Sequence, residues 1–96
     1  MCRLSDPQLI IATVSEALSL PDIKKRTKKP EYAYARFIAI KLLRDHTTLS
    51  YDQIANLFDL HITAIYWAER KIKVLIKNNH EVLAKWEKVK KAIEIL

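Results

Sequence analysis

The chain has no glycine and only one cysteine, and its three prolines, Pro7, Pro21 and Pro30, all lie in the first third. Phosphate-cradling loops and dinucleotide fingerprints need glycine where the backbone turns tightly or meets the ligand, so both are excluded. Glycine-dependent hairpins are disfavoured on the same ground, which leaves a helical domain as the default. Cys2 has no partner for an internal disulfide, and His46, His61 and His80 show neither HExxH nor CxxC spacing. No metal or cofactor is therefore expected. The apolar runs are too short to span a bilayer, and the opening MCRLSDPQ lacks the apolar core of a signal peptide. A reduced, cytoplasmic setting without membrane contact is the expectation.

What is present is a globular mixture of 96 residues, half hydrophobic and 29% charged, which sets the expectation of a single compact all-α domain over residues 1–96. Seventeen basic and eleven acidic residues give a net charge of +6, a sign that favours nucleic acid or another anionic surface. No acid/base pair, activated nucleophile or metal constellation is recognisable, so an enzyme is not expected.

Asp6 can cap a first helix reaching Leu18, with Pro7 at the position where a missing amide costs nothing and Ile10, Val14, Ala17 and Leu18 facing inward. Pro21 ends that segment, and a one-turn helix near Asp22 can follow. The run KKRTKKP at 24–30 has little to bury and reads as an exposed basic loop, leading into a helix at about Glu31–Asp45 with Ala35, Ile38, Ala39 and Leu42 inward. Ser50 and Gln53 can form a capping box for a short helix at Tyr51–Phe58. A fourth helix is expected at Ile62–Lys77, with Ile65, Ala68, Ile72, Leu75 and Ile76 on one face. Asn78-Asn79-His80 interrupts it, and 78–96 holds a supporting helix with Val82, Trp86, Val89, Ile93 and Leu96 as its apolar stripe.

The pair YDQIANLF and HITAIYWAERKI, joined by Asp59-Leu60, reads as a helix-turn-helix over 51–77. Ile54, Phe58, Leu60, Ile65 and Ala68 supply its shared core, while Ala55 lets the backbones approach. At about 100° per residue, Ile62, Thr63, Tyr66 and Arg70 fall opposite Ile65, Ala68 and Ile72 on the recognition helix, about 62–77. Arg70 suits a guanine edge, Thr63 a base or phosphate, Ile62 a thymine methyl, and Tyr66 a phosphate or methyl. His61, just before that helix, can donate to phosphate or cap the helix through its ring; the competing reading is a half-exposed structural histidine.

Lys24, Lys25, Arg26, Lys28 and Lys29 form a second basic footprint for phosphate, with Arg26 also suited to a narrow minor groove. Trp67 and Val74 share an outer flank of the fourth helix. Packing under the final helix opposite Trp86 is the favoured reading; the others are an extended DNA surface or a dimerisation patch.

The segments YAYARFIAIKLLRDHTTLSYDQIANLF and HITAIYWAERKI, with the earlier IIATVSEALSLPDIKKRTKK, resemble the C-terminal DNA-binding domain of the bacterial replication initiator DnaA, most strongly from Ala33 to Ile72. That resemblance implies a helix-turn-helix beside a basic loop, double-stranded DNA as partner, a role like replication-origin recognition and a nucleoid-associated location. It adds Arg36 near phosphate and supports Thr63 at the recognition-helix entrance. Two departures stand out: Tyr34-Ala35-Arg36 keeps only the later arginine of the family's Arg-Pro-Arg, and the turn at Asp59 is one residue shorter and lacks the family's glycine. The initiators' ATPase region has no counterpart in these residues, so both a detached domain and a small phage or mobile-element relative fit. Self-association or binding to an initiator protein is the further partner expectation. The competing reading is a helical protein-interaction or dimerisation module built on Tyr66, Trp67 and Val74.

Overall fold

The computed structural model describes residues 6–20, 23 and 29–94. They form five helices: α1 (Pro7–Ala17), α2 (Pro30–His46), α3 (Tyr51–Phe58), α4 (Ile62–Asn78) and α5 (His80–Glu94). No strand occurs among the described residues, as the all-α expectation requires.

Each helix begins and ends where local chemistry dictates. The Asp6 carboxylate accepts the Gln8 and Leu9 amides at 3.0 and 3.4 Å, and Pro7 occupies the first turn of α1. In α3 the capping box is complete: Ser50 Oγ accepts the Gln53 amide at 3.2 Å, and Gln53 Oε1 accepts the Ser50 amide at 2.9 Å. Asp59 then takes a left-handed conformation, φ 53° and ψ 47°, and the Leu60 amide closes onto the Ala55 carbonyl at 2.9 Å. A carboxylate residue thus occupies a backbone position that favours glycine, which lets a short turn end α3 without one.

The break between α4 and α5 is narrower than the Asn78-Asn79-His80 spacing predicts, because Asn79 serves both helices. Its backbone N–H donates to the Leu75 carbonyl at 2.8 Å, while its Oδ1 accepts from the Glu81 and Val82 amides at 3.0 and 3.2 Å.

Helix α4 packs against α2, α3 and α5, and α1 joins the assembly through α2 and α5. The shared core includes Ile10, Ile38, Leu42, Ile54, Phe58 and Ile72, all removed from water. Thr13 is the buried polar side chain of this core among the described residues, and its hydroxyl is satisfied by the Leu9 carbonyl at 2.7 Å.

One expectation is corrected here. Trp67 and Val74 do not pack under α5 opposite Trp86; they are 63% and 57% exposed. α5 is instead buried in the shared core through its own Val82, Val89 and Ile93, and Leu75 and Ile76 of α4 are partly buried against that core. Trp86 is half-buried, with Lys41 Nζ 5.5 Å and Lys90 Nζ 5.9 Å from its ring centre. The expected turn of helix near Asp22, and the place of Leu96 on the last stripe, lie outside the described residues; Ile23, which is described, is buried in a turn.

Candidate nucleic-acid interface

The site starts from the helical period of α4. Ile65, Ala68 and Ile72 are buried against the rest of the fold, which turns the opposite side of the helix to solvent. Thr63, Tyr66 and Arg70 are exposed on that side, and Ile62 is half-buried at its start. The expected division of the helix into a packed face and an outward face is therefore present.

The outward stripe extends beyond the residues expected to read DNA. Positions 63, 66, 70, 73 and 77 alternate in steps of three and four, and Lys73 and Lys77 are both exposed. At about 1.5 Å per residue the stripe runs about 21 Å, from a hydroxyl through an aromatic ring to three cations. The signal for the two lysines is in the sequence, as the same three-four spacing carried further along the helix.

His61 stands at the entrance of α4 as its cap. Its Nδ1 accepts the Thr63 amide at 3.2 Å and lies 3.0 Å from Thr63 Oγ1. The acceptor role requires the tautomer with Nδ1 unprotonated, so the neutral ring carries its proton on Nε2 as a donor.

Beside Tyr66 lies a cluster that the sequence does not announce. The Tyr51 and Tyr66 ring centres are 4.4 Å apart and inclined at 44°. The Arg44 guanidinium carbon sits 4.1 Å from the Tyr51 ring centre, and Arg44 Nη1 donates to the Leu49 carbonyl at 3.1 Å. Arg44 Nε is 3.8 Å from Glu69 Oε2, an ion-pair distance too long for a hydrogen bond. Hydrogen bonding to the Glu69 carboxylate, helped by removal from water and by the carboxylate charge, raises the Tyr51 phenol pKa above its ordinary 10.0; Arg44 opposes this. These residues come from three helices, and the contacts of Tyr51 with Tyr66 and Glu69 join residues at least fifteen positions apart, so no local motif marks them.

The second footprint is described only in part. Lys24, Lys25, Arg26 and Lys28 lie outside the described residues. Lys29 is exposed at the N-cap of α2, and Arg36 is half-buried one and a half turns into that helix, where burial lowers the pKa of its guanidinium. Trp67, Arg70, Lys71 and Val74 line a shallow groove beside the stripe. Among the described residues no group of three or more His, Cys, Asp or Glu side chains is arranged to hold a metal ion, and no helix is long and apolar enough to cross a membrane.

Comparison with known proteins bears on the same region. The family described as bacterial dnaA protein helix-turn-helix matches residues 7–72. The chain is similar to the chromosomal replication initiator protein DnaA of Microcystis aeruginosa, 36% identical over 70 residues, covering 69% of this chain and 16% of the relative. It is also similar to that of Picosynechococcus, 36% identical over 76 residues, covering 75% of this chain and 17% of the relative. The DnaA of Rippkaea orientalis is 32% identical over 78 residues, covering 77% of this chain and 17% of the relative. The chain thus spans about a sixth of the length of the curated relatives it matches. With α3 and α4 up to Ile72 inside the matched segment and joined by a turn at Asp59, the chain belongs to the bacterial DnaA helix-turn-helix family.

Proposed function

We propose that this domain binds double-stranded DNA sequence-specifically and without catalysis, with α4 in the major groove and the 24–30 basic segment on phosphate or in the minor groove. The observation that carries this reading is the outward stripe of α4, polar and cationic along its length while the opposite side of the helix is buried. Arg70 reads a guanine edge, Thr63 meets a base or phosphate, and Ile62 and Tyr66 offer surface to thymine methyl groups or phosphate. His61, with its Nε2 free of the cap, approaches phosphate at the helix entrance, where the helix dipole favours an anion. Lys24, Lys25, Arg26, Lys28, Lys29 and Arg36 neutralise the backbone, and Lys73 and Lys77 join them at the far end of the stripe. Because the relatives are chromosomal replication initiators, the proposed setting is recognition of origin-like sites on the nucleoid, in the cytoplasm.

Selection from random duplexes followed by salt-dependent titration tests the proposal. It expects one enriched motif and an affinity that falls steeply as salt rises. A pool with no enriched motif would refute it.

One observation supports a second reading. Trp67 and Val74 are large apolar side chains open to solvent on one flank of α4. Such exposure suits self-association or docking of an initiator protein. Sedimentation across concentration tests it, with a salt-insensitive oligomer expected and a monomer at all concentrations counting against self-association.

A further inference from the structure

We infer that Arg44 and Tyr51 are positioning residues for DNA recognition, holding the Tyr66 ring in the orientation in which α4 presents it to the duplex. This rests on the DNA-binding reading above and deepens it by assigning two side chains outside the recognition helix to the reading surface.

Tyr66 belongs to the outward stripe, and a tyrosine there would ordinarily move among its side-chain rotamers. Its ring instead rests on Tyr51, with centres 4.4 Å apart, and remains 46% exposed. Tyr51 is the first residue of α3 and is itself fixed from α2: Arg44 lies 4.1 Å from its ring centre and is tied down by the Leu49 carbonyl at 3.1 Å. Glu69, on the same helix as Tyr66, faces both the Tyr51 phenol and Arg44 Nε. The ends of α2 and α3 therefore clamp the middle of α4 through one continuous set of side chains.

Stability alone does not account for this set. Arg44 Nε and Glu69 Oε2 are both buried and neither has a hydrogen-bond partner among the described residues. At 3.8 Å the pair sacrifices hydration without a good hydrogen bond in return, and an apolar pair of similar volume would hold the helices at least as well. What an apolar pair would not supply is a planar cation over the Tyr51 ring, the contact that fixes that ring from α2. A side chain ordered before binding does not lose its freedom on binding, so the clamp raises affinity through preorganisation.

Three full-chain variants test the inference: Tyr51→Leu removes the ring, Tyr51→Phe keeps the ring but not the hydroxyl, and Tyr66→Ala removes the group being positioned. Circular dichroism confirms folding. Proton coupling constants of selectively labelled tyrosine report the Tyr66 rotamer, and titration with the selected and a scrambled duplex reports binding.

Tyr51→Leu is expected to average the Tyr66 couplings and weaken the selected duplex by about 3- to 10-fold, with a smaller effect on the scrambled one. Tyr51→Phe should restore most of that loss, and Tyr51→Leu should add nothing in a Tyr66→Ala background. If Tyr51→Leu does not fold, Arg44→Lys, which keeps the charge and removes the planar group, should show the same pattern. Unaveraged couplings, unchanged affinity, or losses that add fully to that of Tyr66→Ala would each overturn the inference. A parent that enriches no duplex motif overturns the DNA-binding reading and the positioning role with it; averaged Tyr66 couplings in a parent that does bind overturn the positioning role alone.

Discussion

His61 and Thr63, both expected to meet DNA, are bonded to each other: the imidazole Nδ1 accepts the Thr63 amide at 3.2 Å and lies 3.0 Å from its hydroxyl. The ring is therefore a helix cap whatever else it touches. Replacing His61 with alanine should cost about 0.5–2 kcal/mol, and asparagine, whose side-chain oxygen can take over the cap, should recover most of it. Urea denaturation followed by circular dichroism measures both. Alanine with parental stability would show that the cap carries no energetic weight.

Two apolar residues on α4 should behave in opposite ways. Ile72 is fully buried, so Ile72→Ala should cost about 2–5 kcal/mol, a large part of the stability of a domain this small. Trp67 is 63% exposed, and Trp67→Ala should stay within about 0.5 kcal/mol of the parent. Thermal melts of the two variants side by side check the contrast; a large loss for Trp67→Ala in a monomer would contradict its placement.

Along the outward stripe, charge and base reading should separate. Arg70→Ala should weaken a preferred duplex by about 1–3 kcal/mol and a scrambled one less. Neutralising Lys73 or Lys77 should weaken both duplexes alike and reduce the logarithmic salt slope by about 0.9 for each phosphate left without its cation. Fluorescence anisotropy over a range of salt distinguishes them. Equal losses on both duplexes for Arg70→Ala would move that residue to phosphate.

The raised pKa of Tyr51 carries a sign for stability. A phenol whose folded value lies above its unfolded value of 10.0 favours the fold while it is protonated. That contribution is complete below pH 10.0 and is lost as pH rises through the folded value. In thermal melts from neutral to strongly alkaline pH, the parent should lose stability more steeply above pH 10.0 than Tyr51→Phe, which cannot ionise. Parallel curves would mean that the phenol titrates alike in both states.

The parts legible in the sequence are those set by neighbours along the chain. Asp6 before Pro7, the Ser50–Gln53 pair and the three-four spacing of Ile65, Ala68 and Ile72 each act within a turn or two, and each appears in the structure as the spacing implies. At Trp67 residue type and position disagree, and position prevails: its size argues for the core, while its place on the helix puts it on the flank of the outward stripe. The Arg44, Tyr51, Tyr66 and Glu69 cluster is invisible in the sequence for a different reason. Tyr66 and Glu69 are neighbours on α4, but Arg44 and Tyr51 meet them only after α2, α3 and α4 have packed, and nothing in the sequence separation foretells that meeting.

The packing of α4 also bears on how such a domain acquires new targets. The side chains that anchor the helix, Ile65, Ala68 and Ile72, share no position with those it displays, Thr63, Arg70, Lys73 and Lys77, so the displayed set can be exchanged while the packed set stays unchanged. Tyr66 is the exception, because it is displayed on one side and leans on Tyr51 on the other. A substitution at residue 66 also removes the ring that residue 51 leans on, so this one displayed position is tied to a second helix where the others are not.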